Sequence, residues 1–367
     1  MADLMKCAKA DYKILAERYD QFRVPAARVT IDGRQFSTVT AKLSSGSGAL
    51  LIQSLEADLY HEEASCVRIV LTDVYDREGS SFQDAASLGS SCKAEIGYGS
   101  VFHEIFSGYV GEVQYRYRET LQEISITAFD AITLMSLHYR SLYYTEKKCS
   151  DVLKTILSDY SKILSIGKVD ASGDQEFPVL SCHGRSDFAY IREILCPYAG
   201  KEFYIFNGKA YFQPVKDRNQ TPCIALQLGR SLFDFSLTAG YGNIEISAAG
   251  FSRTDHETAV LEKATGRTDF SQKSAVSQAQ KQYFPCMQLA DTASAKLYAA
   301  YFAEDCIAAC QTGEGTCTGL PEIVPGRCIE IYGIQKEYDK KKFWVSSVHH
   351  HLNQSGFRTR FQIKGWF

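Results

Sequence analysis

Three stretches of this 367-residue chain bring chemically capable side chains close together. Cys182, His183 and Asp187 offer a thiol, an imidazole and a carboxylate just ahead of a predicted helix. A cysteine nucleophile needs an imidazole to take its proton, and that histidine usually arrives from elsewhere in the fold, because adjacent side chains point apart. Ser186 or Asp187 reads better as the N-cap of the following helix. His349-His350-His351 suggests a metal site. On a strand, His349 and His351 share one face and His350 takes the other, which gives two ligands at most and fits a face turned to solvent or to a subunit. Glu62-Glu63, Asp73, Asp76 and Glu78 have the look of surface turn carboxylates rather than a cation site. GSGAL at 46–50 lacks the Lys-Ser/Thr ending of a phosphate loop. No catalytic, cofactor-binding or metal-binding residue is assigned. The enzyme alternative is a stand-alone cytoplasmic β-rich protein with a Cys182/His183 site.

The twelve cysteines contain no CxxC pair. Cys306 and Cys310 alone stand close, at i and i+4 of a predicted helix. Apolar neighbours mark most of the others as small buried hydrophobes of a reducing compartment. A net charge of −3 and a pI near 6.3 argue against sequence-specific nucleic-acid binding. The one basic run, Lys340-Lys341-Lys342, reads as a hairpin tip. No apolar run approaches the roughly 20 residues that span a bilayer, and the charged N-terminus lacks a signal-peptide core, so synthesis in the cytoplasm without membrane insertion is expected. Tyr (22) and Phe (21) are plentiful, which suits β cores and interfaces.

The elements that position these groups fall into an α+β, mainly β pattern. Residues 1–26 form an N-terminal helical arm, with Tyr12, Leu15, Tyr19 and Phe22 at helical spacing over 8–22. Strands dominate 27–145, a first β-barrel module completed by part of 216–250, with a linker at 75–90. Residues 146–215 form an α+β module. There Ser150-Asp151 caps one helix, Ser186-Asp187 opens another, and Asn207-Gly208 turns a hairpin. Residues 216–367 form a second β-barrel module carrying a polar and helical insertion at 253–312. The polar stretch near 252–284 offers little apolar surface to offset its ordering cost and is expected to be ordered by neighbours.

The two β modules read as the same kind of object. Cys92 to Asp130 and Cys317 to Lys364 are both strings of short Val-, Ile-, Tyr- and Phe-rich strands broken by Gly- and Asp-containing turns. With these modules stand SDVLKTIL, GRSDFAYIREIL and FYIFNGKAYF in the middle. In that order, over about 300 residues, the phrases GYGSVFHEIFSGYVGEV, ITAFDAITLM, CTGLPEIVPGRCIEI and FWVSSVHHHLNQSGFRTRFQI resemble the tail-hub proteins of contractile phage tails and injection machines. These are the late control protein D group and the hub portion of the type VI secretion spike protein.

The resemblance implies a structural baseplate hub without catalytic activity or cofactor. It implies a homotrimer in which three pairs of barrels form a pseudo-six-fold ring joining a three-fold spike to a six-fold inner tube. It also implies partners: a separate spike protein, an inner tube or tube-initiator protein, and other baseplate proteins. Fused relatives run on into a spike at the point where this sequence reads Gly365-Trp366-Phe367. Trp366 and Phe367 are therefore the candidate spike-docking residues.

Overall fold

The computed structural model describes residues 4–38, 51–72, 75–76, 81–82, 86–118, 122–251, 259–268, 278–285 and 291–367. Helix α1 (Tyr12–Arg18) is capped by Asp11, whose carboxylate accepts from the Lys13 amide at 2.7 Å. It is shorter than the apolar spacing predicts. Asp20, Gln21 and Phe22 all take positive φ, so the chain turns sharply there. The strands β1 (Pro25–Ile31), β2 (Arg34–Ser37), β3 (Leu51–Tyr60) and β4 (Cys66–Thr72) follow. The expected linker holds a small hairpin, β5 (Tyr75–Asp76) with β6 (Ser81–Phe82). Then come β7 (Ser91–Tyr98), β8 (Val101–Tyr117) and β9 (Gln122–Phe129). The period-2 pattern does its work here: Val67, Ile69 and Leu71 of β4 and Ile124, Ile126 and Ala128 of β9 are all buried.

In the middle, α2 (Ala131–Leu137), β10 (Tyr139–Lys148), α3 (Cys149–Ser158), β11 (Ser165–Val169) and β12 (Glu176–Ser186) succeed one another. Helix α3 starts before the Ser150-Asp151 pair, so neither residue caps it; Lys148 holds the cap position without a side-chain bond. Instead Asp174, distant in sequence, accepts from the Ser150 amide at 2.7 Å. Ser186 does cap α4 (Asp187–Tyr190), accepting from the Ala189 amide at 3.2 Å. A π turn at Ile191–Leu195 leads into α5 (Cys196–Ala199), which ends at Gly200 in the left-handed region. The hairpin β13 (Lys201–Phe206) and β14 (Lys209–Pro214) turns on Asn207 and Gly208, both at positive φ as a type I′ turn demands.

The last third contains β15 (Pro222–Gln227), β16 (Leu232–Ala239), β17 (Asn243–Phe251), β18 (Ala259–Arg267), β19 (Gln280–Pro285) and α6 (Thr292–Ala309). It closes with β20 (Gln311–Thr318), β21 (Cys328–Tyr332), β22 (Lys342–Asn353) and β23 (Gly356–Trp366). Within the polar 252–284 stretch, β18 and β19 flank β17 in a three-stranded sheet. Ile244, Ile246 and Ala248 of β17 pack with Ala295, Ala299 and Ala303 of α6. Residues 252–258 and 269–277 lie outside the described residues, as does the 46–50 stretch.

Thirteen strands are joined in one sheet, and the protein is mainly β. β15 pairs β21 and β16 pairs β20, so these strands go to the C-terminal set; among the described residues neither pairs with β1–β9. The two sets share an order. In the first, β3 pairs β4, β4 pairs β9, β9 pairs β8 and β8 pairs β7. In the second, β16 pairs β20, β20 pairs β23, β23 pairs β22 and β22 pairs β21. All eight pairings are antiparallel. Two bulges coincide too. Aligning Gly111 of β8 with Ser346 of β22, and carrying the register across four strands, places the Gln53 irregularity of β3 on Phe233 of β16, where the second set has its own. The two sets meet where β22 pairs β3, with His349 opposite Asp58 and His351 opposite Glu56.

Asp174→Ala tests the long-range cap. It removes the acceptor for the Ser150 amide, and denaturant titration is expected to show a loss of about 1 kcal/mol, in the range of helix caps. Asp151→Ala, on the exposed first turn of α3, should stay within about 0.5 kcal/mol of the parent.

Candidate functional site

A run of charged pairs lies along and beyond the β3·β22 seam. His349 and His351 sit half-exposed on one face, as strand geometry requires, with ring centres 6.0 Å apart. His349 Nδ1 meets Asp58 Oδ1 at 2.5 Å, and this bond raises the imidazole pKa despite partial burial. His351 Nε2 lies 3.6 Å from Glu56 Oε1. His350 points into the core, where Nδ1 meets Thr359 Oγ1 at 2.9 Å. Burial pushes its pKa down to about 3, so it is neutral at ordinary pH. Among the described residues, no cluster of three metal-ligating side chains forms.

Where β3 ends, His61 and Glu62 turn into a charge network that is buried at His61 and Glu202 and opens outward toward Arg192 and Asp305. The His61 amide donates to the Ser346 carbonyl of β22 at 3.0 Å. Its ring packs at a tilt on Tyr204 at 4.3 Å and meets the edge of Trp344 at 5.3 Å. Its Nε2 reaches Glu202 Oε2 at 3.1 Å. Arg218 donates to the same carboxylate oxygen at 2.7 Å and lies over the Trp344 ring. Burial would raise the Glu202 carboxyl, but His61 and Arg218 outweigh it and hold the pKa at about 2. Glu62 extends the network to Arg192 at 3.5 Å and to Lys364 at 3.4 Å, and Lys364 continues to Asp305 of α6.

A cavity of about 620 Å³ opens beside this network, with Arg218, Tyr301, Asp305, Lys364 and Phe367 on its walls. Trp366 is 9% exposed and meets Tyr338 and Phe343 edge-on or tilted, at 5.5 and 6.1 Å. Phe367 is 52% exposed at the cavity wall. Its backbone exchanges two hydrogen bonds with Lys342, at 2.9 and 3.3 Å. The C-terminal pair thus divides into one core aromatic and one surface aromatic.

The Cys182, His183 and Asp187 side chains are not brought together. Asp187 binds Arg140 at 2.5 and 2.8 Å and accepts from the Tyr160 hydroxyl at 2.5 Å. His183 Nδ1 bonds Ser141 Oγ at 2.8 Å on the other side of the ribbon. The Cys182 thiol is raised by burial and faces the Arg140 and Arg185 carbonyls. The described cysteines are free thiols. Of the carboxylates considered for a cation, Glu62 is committed to cationic partners, and Asp73 and Glu78 lie outside the described residues.

Sequence reasoning missed the charge network. Its members come from residues 61 to 364, so no local spacing betrays it. The seam did leave a signal: acids at Glu56 and Asp58 and histidines at 349 and 351 have the same two-residue spacing.

A family model described as the Alg8 N-terminal domain matches residues 23–354. The chain belongs to this Alg8 N-terminal domain family. The family description names a domain and no reaction. No curated protein matches the sequence. Among solved structures, this Alg8 N-terminal domain member is similar to a 43 kDa tail protein of prophage MuSo2 from Shewanella oneidensis. The identity is 11% and the TM-score 0.65, over 92% of this chain and 98% of that one. A tail protein from Neisseria meningitidis gives 12% identity and a TM-score of 0.62, over 93% and 97%. An E. coli protein described as a component of the type VI secretion system gives 11% and 0.54, over 91% and 76%. The fold is that of phage tail and type VI secretion proteins.

Two predictions follow the network and the seam. Glu202→Ala leaves Arg218 buried without its carboxylate and is expected to cost about 3–5 kcal/mol in denaturant unfolding. Replacing Glu202 and Arg218 together with Leu and Met should recover most of that loss. The pH dependence has a definite sign. The share of stability from Glu202 is present above the ordinary carboxylate range and is lost as pH falls toward 2. His350 is neutral when folded but takes up a proton near pH ~6.5 when unfolded, so stability drops as pH falls from there toward 3. The share from His349 runs the other way, present at low pH and lost as pH rises through its raised pKa. His350→Gln should flatten the change in melting temperature between pH 6.5 and 5 relative to the parent. An unchanged slope would show that His350 is not held neutral.

Proposed function

We propose that this chain is a structural hub of a phage-tail-like contractile injection particle, of the kind typified by the late control protein D group. In this reading three chains form a ring of six similar β modules that joins a three-fold spike to a six-fold inner tube. The observation that carries the reading is the duplicated strand order on a tail-protein fold. Three identical patches cannot satisfy six identical contacts, and two like modules per chain remove that mismatch. The pairings also support reading the first set as a small barrel. β3 pairs β4 and meets β2 at the single pair Ser37 and Leu51, and β2, β1, β7, β8, β9 and β4 are joined in turn.

The partners in this reading are two further copies of the chain, a separate spike protein, an inner tube or tube-initiator protein, and other baseplate proteins. No catalytic step is included. Made in the cytoplasm, the chain becomes a component of the assembled particle. Phe367 is the better candidate for spike contact, because it is exposed while Trp366 is held by Tyr338 and Phe343.

Light scattering on the purified chain is expected to show a species of three times the 41.0 kDa chain mass. A dimer as the largest species, or a monomer at every concentration, would sink the trimer. Phe367→Ser, which removes the ring and keeps the backbone bonds to Lys342, should reduce spike recruitment to particles while the melting temperature holds. Replacing Trp366 with Ala should lower the melting temperature itself, by the equivalent of about 3–5 kcal/mol. Full recruitment without the Phe367 ring would remove it from the docking surface.

A further inference from the structure

The seam inside the chain has counterparts on two strand edges of its sheet, neither of which carries a further strand among the described residues. β22 carries two neighbours along one edge: its first part pairs β21, and its second part, Ser347 to Leu352, pairs β3. β8 corresponds to β22 through the shared bulge, and its first part pairs β7. Its second part, Glu112 to Tyr117, has no strand on that edge among the described residues. β16 corresponds to β3, and among the described residues its outer edge has no strand either. One chain thus ends in both halves of the joint that it makes once internally.

We propose that the second part of β8 in one copy pairs antiparallel with β16 of the next, in the register of the β22·β3 seam. The proposal rests on the trimer reading and deepens it by naming the contact. Carrying the seam register across sets Gln114 opposite Thr238, Tyr115 opposite Leu237, Arg116 opposite Ser236 and Tyr117 opposite Phe235. The faces agree in this register. Tyr115 and Tyr117, 50% and 69% exposed, come to lie over Leu237 and Phe235, which already pack on their own core. Polar Gln114 and Arg116 meet polar Thr238 and Ser236. A slip of one residue would set tyrosine against threonine and serine along the whole contact. Aromatic and apolar cross-strand pairs stabilise such a joint, and exposed edges otherwise invite uncontrolled pairing. The contact is head-to-tail, and in the proposed three-fold ring it uses up both edge types.

The test is cross-linking of the full chain carrying Gln114→Cys and Thr238→Cys, with a short bis-maleimide. Directly opposed residues have Cβ atoms about 5 Å apart. Covalent dimers and trimers are expected from the double variant, above the background of the parent and of each single variant. Gln114→Cys with Asp234→Cys is the register control, displaced by about 13 Å along the strand, and should stay at background. Light scattering on the same samples separates the two claims. A trimer without the 114–238 cross-link, or with equal cross-linking at 234, overturns the edge pairing and leaves the trimer standing. A chain that is monomeric up to its solubility limit overturns both. A charge test keeps the claim falsifiable without cysteines. Gln114→Lys with Thr238→Lys should weaken self-association roughly tenfold, and Gln114→Lys with Thr238→Glu should restore it. Equal association in the two pairs would place the contact elsewhere.

Discussion

The antiparallel pairing of β3 with β22 is the constraint on which the rest of the molecule depends. It joins residues 55–60 to residues 347–352 and turns two β sets into one sheet. A contact of such long sequence separation carries a large loop-closure cost, so it must be well specified once made. Specification comes from both faces. Leu55, Ala57 and Leu59 meet Leu352, His350 and Val348 on the buried side. Asp58 with His349 and Glu56 with His351 mark the register on the open side. A slip of one residue would bury the acids and expose the leucines.

At the end of the seam the strand delivers His61 and Glu62 to a place where β13, the π turn, α6 and β23 converge. The charges buried there are costly in isolation and tolerable as a network, because each carboxylate has cationic partners and hydrogen bonds. A hydrophobic replacement could be equally stable. The arrangement does something that apolar packing does less well: it admits only one relative placement of the two β sets and the segment between them. A wrong docking leaves Glu202 or Arg218 buried without a partner. Rigid placement of parts suits a protein whose proposed work is to hold others at fixed angles.

Much of this was legible in the sequence, for reasons of local physics. Asn207-Gly208 predicts its hairpin because few other residue pairs accept two positive φ values. Alternation in β4 and β9 predicts which side chains go inward, and Ser186 announces its helix. The pairing of distant strands was not legible, because a period of two says which face is buried and not which strand lies alongside. The cap of α3 was misplaced for a related reason: the acceptor is Asp174, which no window around Ser150 contains. Nor did composition show the two strands, β18 and β19, within the polar stretch near 252–284. Its strands β18 and β19 are held through β17, whose inner face packs against the small alanines of α6, and that support lies outside the stretch itself.

In the proposed assembly, duplication explains the architecture at a single stroke: one joint geometry, used once within the chain and repeated between chains, would yield a ring with twice as many modules as copies. The measurement that bears most directly on this account is a cryo-EM map of the tail tip of a particle assembled with this chain. The account predicts three copies around the axis, with N-terminal and C-terminal β sets alternating as six similar units between spike and tube. Six copies or one at that level, or three copies whose β sets do not alternate around the ring, would contradict it.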